Sequence, residues 1–189
     1  MTKTVRVFNG WFTEKQVKNS LGAWGNQLTS DNLSKWLENY NLKHDNSDKV
    51  IGIIMAGKIP LVVFHDFVCC YVAGFKSKIK LSSDDDKLFP ALLNVLNHFD
   101  DTVKERVEIV FTKLKDIDGI IATGSNNTSR YFEQYFGKYP NIIRKSRTSV
   151  AVITGEESEE DLAGLANDVF AYYGLGCRNV TKVFLPKGY

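Results

Sequence analysis

The side chain best placed for chemistry in this sequence is a thiol. Cys177 lies within Tyr172-Tyr173-Gly174-Leu175-Gly176-Cys177-Arg178-Asn179, after a helix that glycine ends and before the apolar run Val183-Phe184-Leu185. Two glycines let the backbone turn sharply beside it, and Arg178 with Lys182 gives a local positive field that favours thiolate over thiol. Those are the conditions that set a nucleophile. The competing reading is a buried structural cysteine, since free cysteines are among the most buried residue types.

Two further groups could hold a ligand. Thr123, Gly124 and Ser125, followed by Asn126-Asn127, stand where a strand gives way to a helix, the place where open backbone N–H groups and the helix dipole receive phosphate. The segment does not match G-x-G-x-x-G, and many such junctions are only tight turns. Lys80, Ser82 and Ser83 end a strand of a β-α-β unit, where the adenine ribose of a dinucleotide lies in a doubly wound sheet. An acid there would bind a free 2′-hydroxyl; a lysine and hydroxyls tolerate a 2′-phosphate, which predicts NADPH. Helix capping by Ser83 competes with that reading, and Asp84 to Asp86 would repel a phosphate that faced them. His65-Asp66 reads as an acid/base pair, as part of a triad with a cysteine or, more simply, as a satisfied histidine on a helix. Tyr131, Phe132, Tyr135 and Phe136 recur at helical spacing and read as core rather than as a base-stacking platform. Arg144-Lys145-Ser146-Arg147 is the one basic cluster, a solvated loop unless it meets a charged substrate.

The elements that must position these groups alternate. Thr13 is predicted to cap a helix carrying Val17, Leu21 and Trp24, and Ser30 another carrying Leu33, Trp36, Leu37 and Tyr40. Val50-Ile51-Gly52-Ile53-Ile54-Met55 is apolar throughout, as in a parallel strand buried on both faces. A helix over Pro60 to Ala73 and a strand over Lys76 to Leu81 complete a β-α-β unit. Ser83 and Pro90 introduce a helix through Phe99; Val107 to Phe111 and Gly119 to Ala122 are strands, the latter leading into a helix through Phe136. Ser149 to Ile153 is read as the last strand of the same sheet. A helix from Ser158, with Asp161 in capping-box spacing, should bury Leu162, Leu165, Ala166, Val169, Phe170 and Tyr173 before Gly174. The predicted fold is an α/β, doubly wound, largely parallel sheet preceded by N-terminal helices. It divides as a helical segment over 1–48, a nucleotide-binding domain over 49–175 and the start of a further domain over 176–189.

Composition narrows the classes. With 189 residues, 43% hydrophobic and 24% charged, and a net charge of +2, the chain reads as one ordinary globular core. Its lysines are dispersed among acids, which argues against nucleic acid. The opening Met-Thr-Lys-Thr-Val-Arg-Val lacks a leader's apolar stretch, and no segment is long enough to span a bilayer, so a cytoplasmic protein is expected. Three cysteines, two of them adjacent at Cys69 and Cys70, fit neither a disulfide framework nor a zinc pattern.

Taken together and in order, several segments resemble the aldehyde dehydrogenase superfamily, and most closely its bacterial fatty acyl-CoA reductase branch. The likeness runs through Ile54-Met55-Ala56-Gly57-Lys58-Ile59-Pro60-Leu61 with Phe64-His65-Asp66, Ile121 to Asn127, Phe136 to Lys145 and Tyr173 to Val180. The resemblance implies that Cys177 is the catalytic thiol, that Lys80 and Ser83 meet the adenosine end of NADPH, and that Thr123-Gly124-Ser125 forms the pyrophosphate turn. It puts Lys58 where the superfamily has the asparagine that steadies the oxyanion, and Arg144 where aldehyde-oxidising members have the glutamate that activates water. The reaction it implies is reduction of a fatty acyl-CoA thioester to the aldehyde through an acyl-cysteine. Exchange with coenzyme A needs no such base. A cysteine acyltransferase or thioesterase without nicotinamide, and a non-catalytic nucleotide-binding module, are the other readings. Superfamily members continue well past the cysteine. The sequence therefore looks like an N-terminal portion, expected to fold without turning over acyl-CoA, with Val183 to Leu185 lacking its partner strand and a homo-oligomer or acyl-transfer partner in the longer form.

Overall fold

The computed structural model describes residues 5–189; residues 1–4, which open the stretch expected to lack a leader, lie outside it. Contacts divide the chain into two compact units, residues 1–145 and 146–189.

The first unit opens with α1 (Val5–Phe8), α2 (Glu14–Gln27) and α3 (Ser30–Leu37). Thr13 closes a capping box with Gln16 at the start of α2. The cap of α3 is Thr29, one residue ahead of the expected Ser30, because the Thr29 hydroxyl accepts from the Asn32 amide. Five parallel strands follow: β1 (Val50–Ile54), β2 (Lys76–Lys80), β3 (Val107–Ile109), β4 (Gly119–Thr123) and β5 (Asn141–Arg144), in the order β3-β2-β1-β4-β5. Between them run α4 (Phe64–Val72), α5 (Leu88–Phe99), α6 (Thr102–Arg106) and α7 (Asn126–Phe136).

The unbroken apolar run of β1 is explained by cover on both faces. Ile53 is fully buried, in a core with Phe12, Val17, Phe67, Ile79 and Leu88, while Val50 and Ile54 pack with Ile120, Ala122, Phe132 and Phe136. Trp24 of α2 meets Phe64 of α4 edge-on, with centroids 4.9 Å apart, and so fastens the N-terminal helices to the first of these cores.

Several boundaries differ from the sequence reading. The helix expected from Pro60 begins at Phe64, because Leu61 takes a left-handed φ of 56° that no helix accepts. The helix expected from Ser83 begins at Leu88; residues 82–87 form a turn in which the Asp85 amide donates to the Ser82 carbonyl at 3.2 Å. Arg144 lies not in a loop but on β5, a strand that four residues beside a basic run concealed.

The second unit holds β6 (Ser149–Val152), α8 (Glu159–Phe170), a 3-10 turn (Ala171–Gly174) and β7 (Val180–Phe184). β6 is not in the large sheet. It pairs in parallel with β7 alone, so the final strand expected to lack a partner has one. The capping box of α8 forms as expected, Ser158 with Asp161. Its apolar face is not core: Leu165 and Val169 are half-buried, Leu162, Phe170 and Tyr173 are exposed, and no residue of α8 is fully buried. Helical spacing marks a face that is suited to burial, but two strands are too few to bury it.

Candidate functional site

The carboxyl ends of β1 and β4 are neighbours, and the chain leaves them toward helices on opposite faces, α4 and α7. This is the switch point at which open α/β sheets bind ligands. Thr123 ends β4, and Ser125 caps α7, accepting from the Thr128 amide at 3.1 Å. The first turn of α7 carries no acid, so nothing there opposes an anion at the helix N-terminus. Gly124 is needed for space: a Cβ there would lie 2.9 Å from the Phe132 ring and 3.1 Å from Thr128 Cβ.

At the end of β2, the Lys80 ammonium donates to the Thr112 carbonyl at 2.6 Å, which leaves two of its three protons for other acceptors. Ser82 Oγ accepts from the Asp84 amide at 3.2 Å, and Ser83 is exposed. The turn closes against Gly57, where a Cβ would lie 2.8 Å from the Ser82 side chain and 2.9 Å from the Asp85 nitrogen. Burial pushes the Asp85 carboxyl up to about 6. Lys58, next to Gly57, is exposed. The donors that could hold a dinucleotide are the backbone amides at the α7 N-terminus, for phosphate, and Lys80 with Ser82 and Ser83 at the end of β2.

At the start of α4 the adjacent His65 and Asp66 meet a partner that the sequence did not disclose, Arg144. Arg144 Nη1 donates to both carboxylate oxygens of Asp66 at 2.5 Å, and Asp66 is almost wholly buried. His65 Nδ1 is 3.7 Å from Asp66 Oδ1, and its ring is 3.6 Å from Cys69 Sγ. Burial, then the Asp66 charge, pushes the Cys69 thiol up, and burial pushes that of Cys70 up to about 12. Neither is a ready nucleophile.

Cys177 is exposed, between the 3-10 turn and β7. The chain reaches it through two consecutive left-handed residues, Tyr172 (φ 53°) and Tyr173 (φ 58°), then Gly174 (φ 71°). Gly176 to Asn179 forms a turn closed by the Asn179 amide on the Gly176 carbonyl at 3.1 Å, with Cys177 and Arg178 at its corner. Asn179, which sequence reasoning passed over, is buried, and its side chain also binds this turn. The groove between β6 and α8, of about 560 Å³, is lined by Val150, Val152 and Leu165 but also by Glu157, Glu160 and Asp161. Carboxylates there do not suit the phosphates of a nucleotide. Among the described residues no group of three or more metal-ligating side chains converges, and no helix is long and apolar enough to cross a membrane.

The fold is that of aldehyde dehydrogenase domains. A putative aldehyde dehydrogenase from Burkholderia cenocepacia superposes with a TM-score of 0.62 at 18% identity, over 76% of this chain and 33% of its own. A mutant of aldehyde dehydrogenase C from Pseudomonas syringae, in complex with NAD+ and octanal, gives 0.61 at 16% identity over 81% and 36%. A mutant of the propionaldehyde dehydrogenase from a Clostridium phytofermentans microcompartment gives 0.58 at 14% identity over 75% and 36%. The chain thus spans about a third of the length of these three solved proteins. No family model matches the sequence, and no curated protein matches it.

Proposed function

We propose that this chain serves the NADPH-dependent reduction of a fatty acyl-CoA thioester to the aldehyde, with Cys177 as the acyl carrier. The observation that carries the reading is an exposed thiol on a doubly tied turn, in a chain with the fold of aldehyde dehydrogenase domains. The Cys177 thiolate attacks the thioester carbonyl, the bond to coenzyme A breaks, and coenzyme A leaves as a thiolate that takes up a proton. The acyl group stays on Sγ. Nicotinamide, when bound, supplies the hydride that reduces this acyl group. With a proton added at oxygen, Cys177 then holds a thiohemiacetal, which releases aldehyde as the C–S bond breaks and the thiol is restored.

A nicotinamide cofactor is supported by the acid-free N-terminus of α7 and by the NAD+ held in two proteins of the same fold, the Pseudomonas syringae enzyme and one from Bacillus cereus. Octanal in the former is a medium-chain precedent for the product. The choice of NADPH rests on Lys80, Ser82 and Ser83. Reduction rather than hydrolysis is favoured because Arg144, at the position the resemblance gives to the water-activating glutamate, is a cation bound to Asp66.

The test is mass spectrometry after incubation with a long-chain acyl-CoA, then with NADPH. In the longer form that the resemblance implies, the acyl mass should appear on the Cys177 peptide and disappear with NADPH. No acyl mass on Cys177 sinks the reading, and acyl mass that NADPH leaves in place points to acyl transfer instead.

A further inference from the structure

The last carbonyls of α8 have no partner within the helix, and what meets them is a side chain from the far side of the thiol turn. Asn179 Nδ2 donates to the Asp168 carbonyl of α8 at 2.7 Å and to the Ala171 carbonyl, just past the helix, at 3.0 Å, while its Oδ1 accepts from the Gly176 amide at 2.7 Å. Its backbone is fixed as well. The Asn179 carbonyl accepts from the Ser149 amide at 3.1 Å and from Thr148 Oγ1 at 3.0 Å, both at the start of β6. One buried carboxamide therefore joins helix end, turn and sheet. The solvent-facing thiol sits inside a short span, residues 176–179, that Asn179 closes on Gly176 through both its side chain and its backbone amide.

We propose that Asn179 is the positioning residue of Cys177, holding the turn so that Sγ is presented to the thioester in one orientation. This rests on the acyl-carrier reading above. The residue type follows from the pattern: the site needs an acceptor for Gly176 and donors for two carbonyls at and just past the end of α8 at once, which neither aspartate, leucine nor alanine provides. Asn179 touches no substrate in this role. It acts through the cysteine.

Asn179→Ala and Asn179→Asp are compared with the parent chain in two measurements. The first is the rate at which acyl-CoA acylates Cys177. The second is the mobility of a nitroxide attached to Cys177, read by electron paramagnetic resonance at a temperature where circular dichroism shows the variant folded. Both variants should acylate about 10 to 100 times more slowly, the scale of a misplacement by about 1 Å, and the label should become more mobile. Asn179→Asp keeps the size and the Gly176 acceptor, so it carries both readings if the alanine variant does not fold. Parent-like acylation, or a label as restrained as in the parent chain, overturns the proposal. A parent chain that takes no acyl group while the label loosens in the variants counts against the acyl-carrier reading and leaves the brace standing.

Discussion

At the scale of single residues, the three cysteines are set apart by their surroundings. Cys177 is exposed, Cys69 is half-buried with its thiol pushed up, and Cys70 is buried and pushed up to about 12. Iodoacetamide at about pH 8 is therefore expected to label Cys177 first and Cys70 last, as read by peptide mass spectrometry. Faster labelling of Cys69 or Cys70 would remove Cys177 from its role. The buried pair of Asp66 and Arg144 gives a second expectation. Arg144→Leu strands a carboxylate that is only 4% exposed, and should cost about 3–5 kcal/mol in urea unfolding. Asp66→Leu with Arg144→Leu should cost much less. That Cys177 stands on an exposed turn was legible in the sequence because its glycines and basic neighbours are local. The ion pair was not, because 78 residues separate its partners and nothing in either neighbourhood names the other.

At the scale of elements, what could be read was what has a period. β1 is unbroken because both its faces are covered, and α7 begins where Ser125 caps it. β5 is hidden because four residues beside a basic run show no alternation, and the apolar stripe of α8 reads as core although it is not, because spacing reports a face and not its cover. The junction between β4 and α7 is tight enough to test. Gly124→Ala should destabilise the protein by about 1–3 kcal/mol through contact with Phe132, and Phe132→Leu in the same chain should recover part of that in thermal melts. The start of α5 responds to pH. The Asp85 carboxylate accepts from the Leu88 amide, yet burial raises it from 3.8 to about 6, so the folded chain holds this proton more tightly than the unfolded one. Its contribution to stability is complete below 3.8 and is lost as pH rises through about 6. The difference is on the order of 3 kcal/mol. Asp85→Asn keeps the acceptor and should be more stable than the parent above about pH 6, and equal to it near pH 4. In the same turn, Ser83→Glu should shift the balance from NADPH toward NADH by about 1–3 kcal/mol, measured by fluorescence titration. Equal affinity for the two nucleotides in the parent chain would remove the basis for that choice.

At the scale of the whole molecule, the chain is two compact units joined where residues 145–148 are all exposed. Brief trypsin treatment should cut first after Lys145 or Arg147, yielding a fragment that ends there and retains the five-stranded sheet. Early cleavage within 50–144 would contradict that. The order of strands has a further consequence, in time instead of space. The central strand β1 pairs with β2 on one side and with β4 on the other, and β4 begins only at Gly119. A ribosome releases β1, β2 and β3 before it has made β4. For that interval, one edge of Val50-Ile51-Gly52-Ile53-Ile54 carries unpaired N–H and C=O groups on a segment without a single charge. Such an edge is a template for another nascent chain. Slower translation across residues 110–123 is thus expected to lower the yield of dispersed protein, by lengthening the one period in which β1 waits for its second neighbour.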